Sequence, residues 1–168
     1  MVESADELPI TVVVRLMIGL ADALDHLHGL GFAHGDVKPA NIVVSSSGVP
    51  VLVGYRGPSG KAEDGLPPEL ALSPPPYTSP EGWRNRREKR SDLWGFGMTL
   101  HHLLTGRLPF DTRDGREVER AIVSSQALDL SVLHQSVPAP VARIVERCLQ
   151  KDLEARYQEA AEIRRDLE

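Results

Sequence analysis

The 168-residue sequence predicts a mainly α fold of the α+β class with one small β-hairpin, on three observations. Leu16, Leu20, Leu24 and Leu27 recur at spacings of 4, 4 and 3, the repeat of one helical face. A second helix runs from Ser91 or Asp92, either a good N-cap, to about Leu104 and ends at Gly106. Between the two, Ile42-Val43-Val44 and Val49 to Val53 are short β-branched runs on either side of the turn residues Ser45-Ser46-Ser47-Gly48.

In chain order, residues 1–10 form a polar N-terminal segment, and Thr11 to Leu30 is a helix whose end is bracketed by Gly29 and Gly31. The hairpin follows, with Pro50 suited to an edge because it has no amide proton to donate. Residues 54 to 78, including Pro67-Pro68 and Pro74-Pro75-Pro76, read as irregular loop. Beyond the helix that ends at Gly106, Asp114 to about Ser125 is helical, and Pro138 or Pro140 starts a helix that continues to about Lys151. Gln158 to Glu168 is a last amphipathic helix with Ala160, Ile163 and Leu167 turned inward. No internal repeat is present.

Composition fits one domain, residues 1–168, since a chain of this length with 41% hydrophobic residues buries roughly 70% of its unfolded surface. A net charge of −5 argues against nucleic acid as a partner, which usually leaves a basic footprint. The lone Cys148 excludes an internal disulfide and sits in an apolar helical stretch, as a small buried hydrophobe does. The apolar run from Val12 to Leu20 is interrupted by Arg15 and too short to span a bilayer, and no signal peptide opens the chain. A cytoplasmic protein without membrane contact is expected. His101 and His102 are adjacent on a helix, so they diverge and make a poor metal site.

Five blocks of sequence carry chemistry or its scaffold: His34-Gly35-Asp36-Val37-Lys38-Pro39-Ala40-Asn41; Ser79-Pro80-Glu81; Asp92-Leu93-Trp94-Gly95-Phe96-Gly97; Leu103-Leu104-Thr105-Gly106 with Pro109-Phe110; and Cys148-Leu149-Gln150-Lys151-Asp152 with Arg156. In this order and spacing they resemble the C-terminal lobe of eukaryotic-like Ser/Thr protein kinases. The resemblance implies a helical bundle around a central buried helix, 91–105, with a catalytic loop at 33–41 and an activation segment at 54–81. It implies that Asp36 orients the substrate hydroxyl, Lys38 neutralises the transferred phosphoryl group and Asn41 holds one Mg²⁺. Asn41 and Val43 would line any bound nucleotide. As scaffold, His34 would stack beneath Tyr55, Asp92 would bind the catalytic-loop backbone, and Glu81 would pair with Arg156.

The sequence departs from the family pattern at the points where chemistry is done. Gly54-Tyr55-Arg56 stands where Asp-Phe-Gly is expected, so a glycine replaces the main metal ligand and Arg56 brings a cation toward the space of Mg²⁺. Gly35 replaces the Arg that answers an activation-loop phosphate, and Pro74 replaces a Thr that ties Asp36 to Lys38. Only 33 residues precede His34, too few for an N-lobe with its Gly-rich loop, strand Lys and helix Glu. The expectation is a degenerate, pseudokinase-like C-lobe that binds protein and transfers no phosphoryl group alone. No cofactor is expected for it alone; completed by an N-lobe it would use ATP and Mg²⁺.

Partner surfaces follow from the same reading. The face around Val43, Val53 and Tyr55 would be bare without an N-lobe, open to a partner chain, a second copy or residues 1–10. Arg84, Arg86, Arg87, Lys89 and Arg90 form either a solvated basic loop or a docking site for an acidic partner or phosphate. Two enzyme readings stand beside the binding one. One is a Ser/Thr kinase truncated or completed by another polypeptide. The other is a small-molecule phosphotransferase of the aminoglycoside-kinase type, whose loop also opens with His-Gly-Asp, but Lys38-Pro39, Ser79-Pro80-Glu81 and the Asp92 helix favour the protein-kinase branch.

Overall fold

Helix α1, Ile10–Gly29, forms one wall of the molecule and buries Val13, Met17, Leu20, Ala21, Leu24 and His28. The computed structural model describes residues 8–56, 76–84, 86–110, 114–124 and 128–168. Residues 1–7 and the stretch 57–75, with Pro67-Pro68 and Pro74, lie outside the described residues. Leu16 and Leu27, expected on the inward stripe of α1, are only half-buried. The helix is packed by the central helix, by the last helix of the chain and by a strand, so its buried face is wider than one leucine row and centres on Val13, Met17, Leu20 and Leu24.

A 3-10 turn, Pro39–Asn41, leads into the hairpin of β1, Ile42–Val44, and β2, Pro50–Leu52. The strands are antiparallel, with Ile42 opposite Leu52, Val43 opposite Val51 and Val44 opposite Pro50. Alternation turns Ile42 and Leu52 toward the core and leaves Val43 and Val51 about half exposed. The single turn of α2, Pro80–Trp83, is capped by Ser79, whose hydroxyl accepts from the Gly82 amide at 3.1 Å. Sequence periodicity cannot detect so short an element.

The central helix α3, Lys89–Thr105, is buried without a break from Asp92 to His101. It starts earlier than the Ser91 or Asp92 cap predicted, because Glu88 is the N-cap and Ser91 is its partner in a capping box, accepting the Glu88 amide at 3.1 Å. Asp92 is therefore released from capping and faces the catalytic loop. Gly106 ends the helix in the left-handed region, φ 69°, as expected. α4, Gly115–Val123, begins at Asp114, whose carboxylate accepts from the Arg116 and Glu117 amides. α5, Ser131–Ser136, is a short helix that the sequence did not signal.

α6, Ala139–Cys148, begins after Pro138 and stops short of Lys151. α7, Ala160–Leu167, buries Ala160, Ile163 and Leu167 as expected and lies along α1. α6 packs against α3 at very short range, since a Cβ on Gly97 would stand 2.4 Å from the Cβ of Cys148. Cys148 has no exposed surface, and burial pushes its thiol far up from the ordinary value. The core thus joins α1, α3, α6 and α7, with the catalytic-loop segment at one end of α3.

Candidate functional site

Asp92, in the first turn of α3, holds the loop 33–41 by its backbone. One carboxylate oxygen accepts from the His34 amide at 2.7 Å and the other from the Gly35 amide at 2.8 Å. The first oxygen also meets His28 Nε2 at 2.8 Å, so the end of α1 shares this anchor. Lys89 Nζ donates to the His28 carbonyl and Arg87 Nη1 to the Gly35 carbonyl at 3.4 Å. Of the five cations of the basic stretch, Arg87 thus braces the loop and Lys89 the end of α1. Arg90 is engaged as well, with Glu88 at 2.7 Å, Glu154 at 2.8 Å and Gln158 at 3.0 Å, while Arg84 and Arg86 are exposed.

The expected chemical residues meet around one carboxylate oxygen. Asp36 Oδ2 accepts from Asn41 Nδ2 at 3.0 Å and forms ion pairs with Lys38 Nζ at 2.7 Å and Arg56 Nε at 3.2 Å. Asn41 Nδ2 also donates to the Asp36 carbonyl at 2.7 Å, closing a small ring within the loop. The Asp36 side chain is 9% exposed, Lys38 19% and Arg56 43%, so the anion is interior and the second cation is reachable from solvent. Arg56 is tethered twice, because its amide donates to the His34 carbonyl at 3.0 Å.

His34 and Tyr55 meet edge to face, with centroids 6.1 Å apart and planes at 77°, rather than stacked one beneath the other. Phe32 takes the other edge of Tyr55 at 6.5 Å and 88°. Tyr55 is 52% exposed, so it caps the loop instead of filling the core. Burial holds the His34 imidazole below 6.5, although Asp92, the Val53 carbonyl and Asp36 pull the other way. Val43 lies on the exposed side of β1, near this cluster but outside its hydrogen bonds.

A second anchor lies at α2. The Arg156 guanidinium grips Glu81 with two bonds, at 2.8 and 3.2 Å, and also donates to the carbonyls of Arg90 and Gln150. Ser91 adds a hydroxyl to Glu81 at 2.8 Å. Burial raises the Glu81 carboxyl, and the bonds and charge of Arg156 more than reverse that, leaving it below the ordinary range. Next to α2, the Tyr77 hydroxyl bonds His102 Nδ1 at 2.6 Å, and burial pushes its pKa up to about 12. The cleft between the loop and α2, lined by Asp36, Tyr77, Thr78 and Arg87, has about 20 Å³ of free space, enough for roughly one water.

Sequence reasoning named Asp36, Lys38, Asn41, Glu81, Asp92 and Arg156 but missed His28, Ser91 and the bracing roles of Arg87 and Lys89. His28 and Asp92 are 64 residues apart, and no local spacing signals a pair across that distance.

A central buried helix, a loop hung by its backbone from that helix, and a buried Glu–Arg brace define the C-lobe architecture of protein kinases. The protein kinase domain family matches residues 2–166, and the chain belongs to it. It is 31% identical over 157 residues to a probable serine/threonine-protein kinase PknB of Bifidobacterium longum, covering 91% of this chain and 23% of that one. It is 30% identical over 158 residues to the serine/threonine-protein kinase PknB of Mycobacterium tuberculosis, 92% of this chain and 25% of that one. It is 29% identical over 161 residues to the serine/threonine-protein kinase PksC of Streptomyces coelicolor, 94% and 29%. The chain spans about a quarter of the length of these curated relatives.

Membership implies ATP and Mg²⁺ in complete kinases, and the residues here do not fit the divalent ion. Gly54 has φ 75°, and a Cβ on it would meet Asn41 Oδ1 at 2.8 Å, Cγ at 2.9 Å and Nδ2 at 3.0 Å. The amide of Asn41 therefore fills the space a chelating side chain would need. Asp36 Oδ2 already has one amide donor and two cations within 3.2 Å. Among the described residues, no group of three or more His, Cys, Asp or Glu is placed to hold a metal, and no helix is long and apolar enough to cross a membrane.

Proposed function

We propose that this polypeptide is a degenerate Ser/Thr kinase C-lobe that works as a protein-binding or regulatory module and transfers no phosphoryl group by itself. The observation that carries this reading is a set of apolar side chains at Phe32, Val43, Val44, Val49, Val51, Val53 and Tyr55, each between 41% and 56% exposed. Single exposed apolar residues need no explanation, whereas several gathered on one hairpin and its flank suit an interaction surface. Val43 and Val51 are direct cross-strand partners, and Phe32 touches Tyr55, so these side chains are held in fixed relation. A protein partner or a second copy is the occupant, and the exposed Arg84 and Arg86 suit acidic groups on it.

Sedimentation analysis together with hydrophobic-dye binding tests the reading. The protein is expected to self-associate or bind dye, and the double substitution Val43→Lys with Val51→Glu, which places opposite charges across the strands, is expected to abolish this while changing stability by no more than about 0.5 kcal/mol each. A monomer that binds neither dye nor partner sinks it. No thermal shift is expected with millimolar ATP, although a specific ligand at about 100 times its Kd would add about 2.7 kcal/mol.

A second reading is an ATP-dependent Ser/Thr kinase, either truncated or completed by an N-lobe supplied elsewhere. The adjacency of Asp36, Lys38 and Asn41 favours it, as does the quarter-length match to full kinases. A Mg²⁺-dependent ATP shift is its signature.

A further inference from the structure

We propose that the Arg56 guanidinium is the resident cation of the Asp36 site, standing in for a divalent ion and excluding one. Three observations meet here. Among the described residues Asp36 is the one carboxylate of this cluster, and the same oxygen, Oδ2, pairs with both Lys38 Nζ at 2.7 Å and Arg56 Nε at 3.2 Å. One negative and two positive charges leave the cluster cationic before any ion arrives, and a divalent cation needs several oxygen ligands at short range. The oxygen a second ligand would supply is missing at Gly54, and the Asn41 amide occupies the space.

Arg56 is also built in rather than draped over the surface. The hydrogen bond that its backbone amide donates to the His34 carbonyl holds residue 56 against the catalytic loop, so the side chain leaves from a set position and its Nε lies 3.2 Å from Asp36. Bound this way, the guanidinium does the charge-balancing and the loop-to-loop tethering that a metal ion provides elsewhere. The inference concerns the cation alone and stands whether or not the hairpin face is a docking surface.

MnCl₂ alone is the probe, with free Mn²⁺ read by electron paramagnetic resonance and the Arg56 Nε–H signal followed by nitrogen-15 NMR. The native protein is expected to leave free Mn²⁺ undiminished and to show an Arg56 Nε–H signal that MgCl₂ does not move beyond an ionic-strength-matched NaCl control. Because Arg56→Gln restores no carboxylate, the gain is sought with Gly54→Asp: the Gly54→Asp, Arg56→Gln double variant is expected to gain saturable Mn²⁺ uptake that the added Asp36→Asn weakens, whereas Gly54→Asp alone, which keeps the Arg56 cation, is expected to gain none. Saturable uptake by the native protein that Asp36→Asn abolishes overturns the proposal. So does release of the Arg56 Nε–H signal by MgCl₂, a result that needs no variant to fold. Equal Mn²⁺ uptake by folded Gly54→Asp with and without Arg56→Gln shows that Arg56 is not what excludes the ion, and likewise overturns it.

Discussion

Arg156 makes four hydrogen bonds from one guanidinium, two to Glu81 and one each to the carbonyls of Gln150 and Arg90, with the Trp94 ring 5.2 Å from its central carbon. Its side chain has no exposed surface, so every donor must be answered from inside the protein. Glu81 answers two of them, and a neutral residue there strands a buried cation. Glu81→Ala is therefore expected to lower stability by about 3 to 5 kcal/mol in urea unfolding, the usual effect of breaking a buried pair by removing one member. Adding Arg156→Met, which removes the stranded charge, is expected to recover part of the loss, because residues in one network do not add. A cost near zero for Glu81→Ala would reduce the brace to surface charge. The Asp36 cluster differs in kind: its second cation is 43% exposed and contributes less to stability than to which ions the site admits.

Among the elements, α3 carries the fold because it is buried around its whole circumference from Leu93 to Leu100, with Thr99 its one polar side chain there, and needs neighbours on every side. Gly97 sets how closely α6 can approach. Its ideal Cβ would lie 2.4 Å from the Cys148 Cβ and 3.1 Å from Leu149 Cδ2, and the first of these cannot rotate away. Gly97→Ala forces the two helices apart, and a loss of about 1 to 3 kcal/mol is expected from chemical unfolding despite the better helix propensity of Ala. A neutral or stabilising Ala would mean that the α3–α6 contact is looser than this geometry. The same elements set what could be read from sequence. α1, α3, α6 and α7 are long or well capped, and the hairpin is β-branched around a turn, so each was legible locally. α2 and α5 are too short to repeat a period, and the Glu88 cap was hidden because Ser91 and Asp92 are stronger cap residues by type. Of the site, the motif positions were legible through resemblance, whereas the Asp36–Arg56 pair and the His28–Asp92 contact join residues brought together only by the folded chain.

Over the whole molecule as described, His34, His101, His102 and Glu81 pull stability in one direction as the pH falls. Burial holds His34, His101 and His102 below the ordinary 6.5, and His101 further loses proton affinity to the charges of His102 and Arg107 while its Nδ1 bonds the Arg107 carbonyl at 2.9 Å. Well above pH 6.5 these imidazoles are neutral in both folded and unfolded chains and contribute no slope. Below it the unfolded chain takes up protons that the folded one refuses, so stability declines until the lowered folded values are reached. Glu81 repeats the pattern in more acid solution: its folded carboxyl titrates below the ordinary 4.5, so the contribution of the Arg156 pair is present above that value and is lost as the pH falls through the folded one. Thermal unfolding from pH 8 down to pH 3 is thus expected to be flat at first, to fall below about 6.5 and to fall again below about 4.5. In a protein of this size each 1 kcal/mol lost lowers Tm by about 2 to 4 °C. Glu81→Ala is expected to erase the Glu81 part of the second decline and leave the first, since the histidines lie at the other end of the Asp92 anchor and along α3. A Tm that rises on acidification from pH 7 to pH 5 would show these imidazoles to be charged in the folded protein and would overturn the assignment.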